Sequence, residues 1–345
     1  MKKAFWIFLA LMTCVISNAV AGDKYVYIPL TNETAIAQSK GWGDSLFNQL
    51  GYKVKVVDIT TVKISGATVA MLDRGDLNFY SSMAYMATDY KLNGYNTRVI
   101  LAAQPTIRKS VLTFVLKDSP YKTAADLKGK TIGTIRYCCG YAAALEIFQK
   151  AGYPIDTDLK KGDIRVWIAP GSQNIRDALL SQRIEGAADH LQVTAHTSAY
   201  LQGLYRVLDT LPENSIYQQY GGRAYYYGKA EWIDAHPDLA QAYAKMIVKT
   251  RNWIFEHRDE AAKIVARDMR IPLGVASFQI ANLEWASLAP AEPSWDATVE
   301  SLKQVQIQYK NLGEPLYLKR TLSDKDLEAF IDKRFFKGGQ YSAFN

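Results

Sequence analysis

Segments that read as short strands alternate with segments that read as helices from Lys24 onward, and the alternation starts over once, near Thr131. Residues 24–30 and 52–59 read as strands, with a helix over 31–50 between them. Ser65 is placed to cap a helix running to Arg74, which Gly75 ends. Residues 77–81 predict a short strand feeding a helix over 83–92, followed by strands over 97–103 and 111–116. In the second round, 131–135 is a strand, and 140–150 a helix with Ala144, Leu145, Phe148 and Ala151 on one face. A strand over 164–168, a helix over 174–181 and a strand over 184–188 complete it. Such alternation predicts an α/β chain layered on mostly parallel sheets.

Beyond Pro212 the pattern changes. Residues 224–227 are strand-like, and from His236 the chain is nearly all helix. There Leu239, Tyr243, Met246, Ile247, Thr250 and Ile254 mark one apolar stripe. Residues 70–78 and 178–186 echo each other, each an apolar helix end running into a short strand. Polar residues follow each strand: Ser81 and Ser82 in the first, Asp189 and His190 in the second. Two similar units with polar groups at a strand's carboxyl end predict two lobes facing a cleft. The expected division is 22–112 with 225–345 for lobe 1 and 113–224 for lobe 2. Two connections, near 111–116 and 222–227, join them.

Lys2 and Lys3 precede an apolar run over 4–17, and Ala19-Val20-Ala21 supplies the small residues of a cleavage site. Residues 1–21 therefore read as a signal peptide, the run being shorter than the ~20 apolar residues of a membrane span. Leu11-Met12-Thr13-Cys14 only faintly matches a lipoprotein box, Thr13 being a poor fit, so a soluble exported product is expected. The formal charge is +7, two of which, Lys2 and Lys3, go with the leader, leaving +5. That balance suits an anionic ligand or an anionic membrane surface, and equally a solvated face. No Lys/Arg cluster marks a nucleic-acid site. After the leader only Cys138 and Cys139 remain. Their Cα atoms stand about 3.8 Å apart, so a bridge between them is strained and no disulfide framework exists.

The phrase Asp126-Leu127-Lys128-Gly129-Lys130-Thr131-Ile132-Gly133 resembles the opening of the second lobe in the taurine, alkanesulfonate and nitrate binding proteins of ABC importers. That family also includes pyrimidine-precursor binders related to thiamine biosynthesis. Leu72 to Phe79 resembles its first-lobe signature, and the stretch ending in Ala187-Ala188-Asp189 its second-lobe one. The likeness covers most of the mature chain in order. It implies a type II periplasmic-binding-protein fold, two lobes joined by two hinge strands. By the same resemblance the protein is periplasmic, binds a small molecule between its lobes and hands it to an inner-membrane ABC permease. Where sulfonate binders usually carry small polar residues, this chain reads Arg136-Tyr137-Cys138-Cys139-Gly140-Tyr141.

That turn lies between a strand and a helix start, where unpaired backbone N–H groups suit an anion. Arg136 could grip a carboxylate or sulfonate, or pair with a surface acid; Tyr137 and Tyr141 could stack on a planar ligand, or simply pack. Cys138 and Cys139 lack further Cys or His at motif spacing, so they read as pocket wall and no metal is expected. Ser81 and Ser82 are placed to face the cleft from the first lobe, as are Asn32 and Thr34, or else to cap helices. Gln104 is a further hydrogen-bonding candidate. Asp189 and His190 face the same cleft in the family pattern; Asp189 either meets a ligand ammonium or pairs with Arg136 or a backbone N–H. Of the crossover tyrosines 225–227 a strand can turn only every second one inward, so the cluster reads as mostly packing, with Tyr225 or Tyr227 a candidate ligand wall. No Ser-His-Asp, HExxH or phosphate-loop pattern supports an enzyme. The expected protein is thus a monomeric binder of a small organic anion or zwitterion, with no cofactor. A cationic-amine or pyrimidine binder, or an enzyme on the same fold, is the alternative.

Overall fold

The computed structural model describes residues 24–59, 66–102, 111–136, 138–211, 214–221, 224–282 and 295–336. The leader, Ser65, Gln104 and Tyr137 lie outside them. In chain order the strands are β1 (Tyr25–Pro29), β2 (Lys53–Val57), β3 (Tyr80–Met83), β4 (Thr97–Ala102), β5 (Val111–Leu116), β6 (Thr131–Thr134), β7 (Ile155–Asp156), β8 (Ile164–Ile168), β9 (Gly186–His190), β10 (Tyr205–Thr210) and β11 (Ala224–Lys229).

β1 and β2 pair in parallel, with Val26 and Ile28 buried beneath. The helix expected over 31–50 is two helices, Asn32–Ser39 and Trp42–Asn48. The break is at Gly41, whose φ of 70° is open to glycine because no Cβ clashes there. The helix Ala67–Arg74 ends on Gly75 at φ 83°, the stop that the sequence predicts. β11 lies between β3 and β4, antiparallel to both, and so ties chain that follows residue 224 to chain that precedes residue 102.

Residues 111–210 supply a separate six-stranded sheet in the order β10-β5-β9-β6-β8-β7. β6, β7, β8 and β9 pair in parallel, as the helix-linked alternation requires, but β5 is antiparallel to both β9 and β10. The expectation of mostly parallel sheets is therefore corrected. Parallel neighbours need a crossover laid back along their own sheet. β5 instead arrives from the other sheet after β4, and β11 leaves the six-stranded sheet after β10, so both run in reverse.

The helix Pro237–Glu256 buries the predicted stripe, from Leu239 through Tyr243, Met246, Ile247 and Thr250 to Ile254. Tyr243 stacks on Phe79 with ring centroids 4.0 Å apart, and neither ring is more than marginally exposed. Burying a side chain of that size stabilises by roughly 1.5–3 kcal/mol. The last helices, Trp295–Asn311, Pro315–Lys319 and Asp324–Phe330, return to the first sheets, where Ile331 bridges to Val99 and its carbonyl accepts from Trp295 Nε1 at 2.9 Å. No helix among the described residues is long and apolar enough to cross a membrane.

Candidate functional site

β6 and β9 are parallel neighbours, so their carboxyl ends fall on the same edge of the sheet. After β6 the chain turns through Arg136 into the helix Cys139–Ala144, which continues directly as a π-helical turn, Leu145–Gln149. Gly140 lies flat against β9: a Cβ there would stand 2.2 Å from the Ala188 carbonyl oxygen. Only glycine permits that approach. It brings the Cys138 and Cys139 sulfurs and a ring nitrogen of His190 within 4.8 Å of one another. The reading that no histidine is placed to join the two cysteines is corrected here, because the partner comes from a neighbouring strand and motif spacing along the chain cannot show it. Neither cysteine is in a disulfide; Cys139 is buried and Cys138 half-buried. The Cys139 thiol and burial push the Cys138 thiol well above its ordinary value, against the pull of His190.

From the other sheet, register decides which side chains look this way. Tyr225 pairs with Ser82, and Tyr227 with Tyr80, so these four share one face of the three-stranded sheet. Ser82 Oγ and the Tyr227 hydroxyl are 2.9 Å apart, and the Tyr80 and Tyr227 rings meet edge-on at 6.0 Å. Burial raises the Tyr80 hydroxyl; a bond with Thr68 opposes this, and the adjacent Cys138 and Cys139 add to it. Tyr80, on the three-stranded sheet, is thus close enough to both thiols to feel their charge. Ser81 pairs with Tyr226 on the opposite face, where the Tyr226 hydroxyl donates to Glu33 Oε1 at 2.8 Å. Tyr225 is fully buried. Asn32 opens the helix Asn32–Ser39, and Thr34 is its buried cap partner, accepting from Thr31 N and donating to the Pro29 carbonyl at 2.6 Å. Of the two readings for Thr34, the geometry is that of the cap.

Arg136 and Tyr141 point elsewhere. The guanidinium lies 5.9 Å from the Tyr141 ring centroid, and Tyr141 faces Tyr85, which packs on Tyr309 and Tyr317. Arg136, Tyr141, Gln149 and Pro154 line a cavity of about 230 Å³ that Gly313 and Pro315 close from the last helices. Glu314 beside it caps Pro315–Lys319, its Oε2 accepting from Leu316 N and Tyr317 N. Burial pushes its carboxyl up; those two amides, Tyr85 and the Arg136 charge pull it down. Tyr85, Glu314 and Tyr309 have no local signal in the sequence, being far from Arg136 along the chain. A larger cavity, about 540 Å³, lies at the far edge of the six-stranded sheet among Leu116, Tyr121, Leu180, Ile184 and Leu204, and borders none of the candidate residues.

Asp189 is buried, and its oxygens are engaged by two flanking helices and by its own strand. Ser172 Oγ donates to Oδ2 at 2.6 Å, His196 Nε2 is 3.2 Å from the same oxygen, and the His190 amide donates to Oδ1 at 2.8 Å. Burial alone would raise its pKa; His196, His190 and Ser172 outweigh that and hold the carboxyl below the usual range. Arg136 is not among these hydrogen-bond partners.

The six-stranded sheet of residues 111–210, with the two smaller sheets built from the chain on either side of it, gives a mixed α/β architecture. The chain belongs to the NMT1/THI5-like family, whose model matches residues 34–261. No curated protein matches it in sequence. Among solved structures it is similar to the periplasmic aliphatic sulphonate binding protein SsuA of Escherichia coli, at 16% identity and TM-score 0.67 over 90% of this chain and 92% of that one. It is similar also to the alkanesulfonate-binding SsuA of Xanthomonas axonopodis pv. citri, solved with MOPS, at 14% identity and TM-score 0.69 over 89% and 98%. The desulfurization enzyme DSZB shares the fold at 14% identity, TM-score 0.61, over 93% and 100%. The fold is that of the periplasmic binding proteins, in agreement with the sequence expectation.

Proposed function

We propose that the chain is the solute-binding component of an ABC importer, capturing a small organic anion or zwitterion between two lobes, 22–112 with 225–345 and 113–224. The observation that carries this is the placement of Arg136, a cation over an aromatic ring, at a cavity bounded by both parts of the chain. The carboxylate best suited to an ammonium, Asp189, is meanwhile engaged by Ser172 and His196. A guanidinium offers a carboxylate or sulfonate two parallel hydrogen bonds. Similarity to sulfonate-binding proteins supports the same ligand class. Residues 1–21 direct the chain to the periplasm, where it acts as a monomer. Binding closes the lobes by hinge motion along β5 and β11, desolvates the solute and completes the surface that docks on the permease. The protein performs no chemistry on what it carries.

Thermal-shift titration against sulfonates, carboxylates, amines and pyrimidines tests this reading. An organic anion is expected to raise the melting temperature with a concentration dependence that follows its affinity. Arg136→Ala is expected to weaken that anion by roughly 2–5 kcal/mol, the scale for a buried charge-assisted contact. A shift with amines alone, or consumption of the compound during incubation, overturns the proposal; the second result identifies an enzyme.

A further inference from the structure

We propose that Cys138, Cys139 and His190 form a three-ligand site for a thiophilic d10 cation, zinc(II) or copper(I), at the edge shared by β6 and β9. Two sulfurs and one imidazole nitrogen already lie within 4.8 Å of one another. A tetrahedral zinc with Zn–S bonds of about 2.3 Å holds its sulfurs about 3.8 Å apart, so ligation needs only a small inward rotation of the side chains. Thiolate with imidazole selects zinc or copper(I) over hard cations such as calcium and magnesium.

Adjacent residues rarely offer both side chains to one atom, and the local backbone explains why these do. Cys138 is extended, with φ −121° and ψ 169°, whereas Cys139 is the first residue of the helix. The change of backbone direction between them turns both sulfurs to one side. Gly140 presses this corner onto β9 beside His190. The support behind His190 is built as well. Its main-chain N–H is held by Asp189 Oδ1, and Asp189 is fixed in turn by Ser172 and His196. These contacts fix the backbone from which the His190 ring projects. His190 Nδ1 is buried and has no hydrogen-bond partner, so the ring keeps coordinating capacity in reserve.

Among the described residues no fourth Cys, His or carboxylate joins the group. The fourth corner is left to water or to a donor atom of a solute, as in metal sites that bind exchangeable ligands. Binding exchanges two S–H bonds for two metal–sulfur bonds, and both protons leave to solvent. The site stands on these three side chains and does not depend on which solute the cleft takes.

The test uses the full chain carrying Cys14→Ser, so that Cys138 and Cys139 are its only thiols, kept reduced by a phosphine. Cobalt(II) added alone is expected to give one equivalent of a thiolate charge-transfer band, displaced by zinc(II). Competition against chromogenic chelators for zinc(II) and for copper(I) shows which cation is held more tightly. His190→Gln is expected to lower affinity at least about tenfold, the scale on which even outer-shell changes are felt, while its melting curve without metal stays unchanged. Saturating metal is also expected to protect both thiols of the unsubstituted site from alkylation, a readout that needs no folded variant. Absence of the band and of protection overturns the proposal, as does unchanged affinity in His190→Gln. Failure of the anion titration with this site intact would remove only the solute reading.

Discussion

Gly140 lies so close to Ala188 that any side chain on it would collide with the β9 backbone, its Cβ standing 2.2 Å from the carbonyl oxygen. Alanine would gain up to about 1 kcal/mol of helix propensity at this position. The collision is with backbone, which cannot rotate away, and overpacking of this kind costs about 1–3 kcal/mol. Gly140→Ala is therefore expected to lower the urea midpoint despite the better helix former. A variant as stable as the parent would show that the helix can lift off β9 without penalty.

Glu146 is buried in the π-helical turn, and its carboxylate accepts from Ile216 N at 3.0 Å and Tyr217 N at 2.8 Å, with the Tyr309 hydroxyl at 3.3 Å and Lys150 Nζ at 3.6 Å. One side chain thus fastens three segments distant in sequence. Truncation leaves two buried amides without an acceptor, each costing about 1–3 kcal/mol. Glu146→Ala is expected to destabilise by about 3 kcal/mol in denaturant unfolding, and Glu146→Gln, which keeps one carbonyl oxygen, by less.

Tyr226→Phe probes the face of β11 that turns away from the cysteines. The hydroxyl lost is the donor to Glu33 Oε1 at 2.8 Å, and both groups are buried. A loss of about 1–3 kcal/mol is expected, since a buried acceptor is stranded. Solute binding should be unaffected, because Tyr226 does not line the Arg136 cavity and points opposite to Ser82 and Tyr227. Impaired binding in an otherwise stable variant would contradict that register.

Burial pushes the Asp89 carboxyl up to about 6, although Asn93 Nδ2 donates to it at 2.7 Å. In the unfolded chain the group titrates near ~4. The folded protein therefore holds a proton that the unfolded chain releases between these values. The group's contribution is most favourable below about pH 4 and is lost as pH rises through 6. Asp89→Asn removes that slope. Above pH 7 it is expected to be more stable than the parent by about 1 kcal/mol, partial solvent screening being allowed for. The difference between the two melting curves at pH 4.5 and pH 8 measures it.

Much of the fold is legible in the residues. The strand over Ile164–Ile168, the stop at Gly75 and the buried stripe of Pro237–Glu256 follow from alternation, a left-handed glycine and a 3.6-residue period. Each is a local property, set within a few turns of chain. β10, with its bulge between Val207 and Asp209, escaped the reading because its place is fixed by antiparallel pairing with β5 rather than by its own pattern. Thr34 shows the same limit: a polar residue after a strand reads alike as a ligand or a cap, and only the fold shows its Oγ1 accepting from Thr31 N in a capping box.

For the candidate site, sequence named most of the participants without their grouping. It brought out Arg136, Cys138, Cys139, Asp189 and His190, since polar residues after strands mark the edge where such sites form. Which of them meet was decided in three dimensions. The parallel pairing of β6 with β9 sets His190 beside the cysteines, and the Glu314 turn comes from the far end of the chain to stand near Arg136. Propensity and periodicity act over neighbouring residues, so the chain alone determined its elements and their polar ends. Contacts across more than fifty residues depend on how the sheets stack and in what register, and only the folded protein determined those.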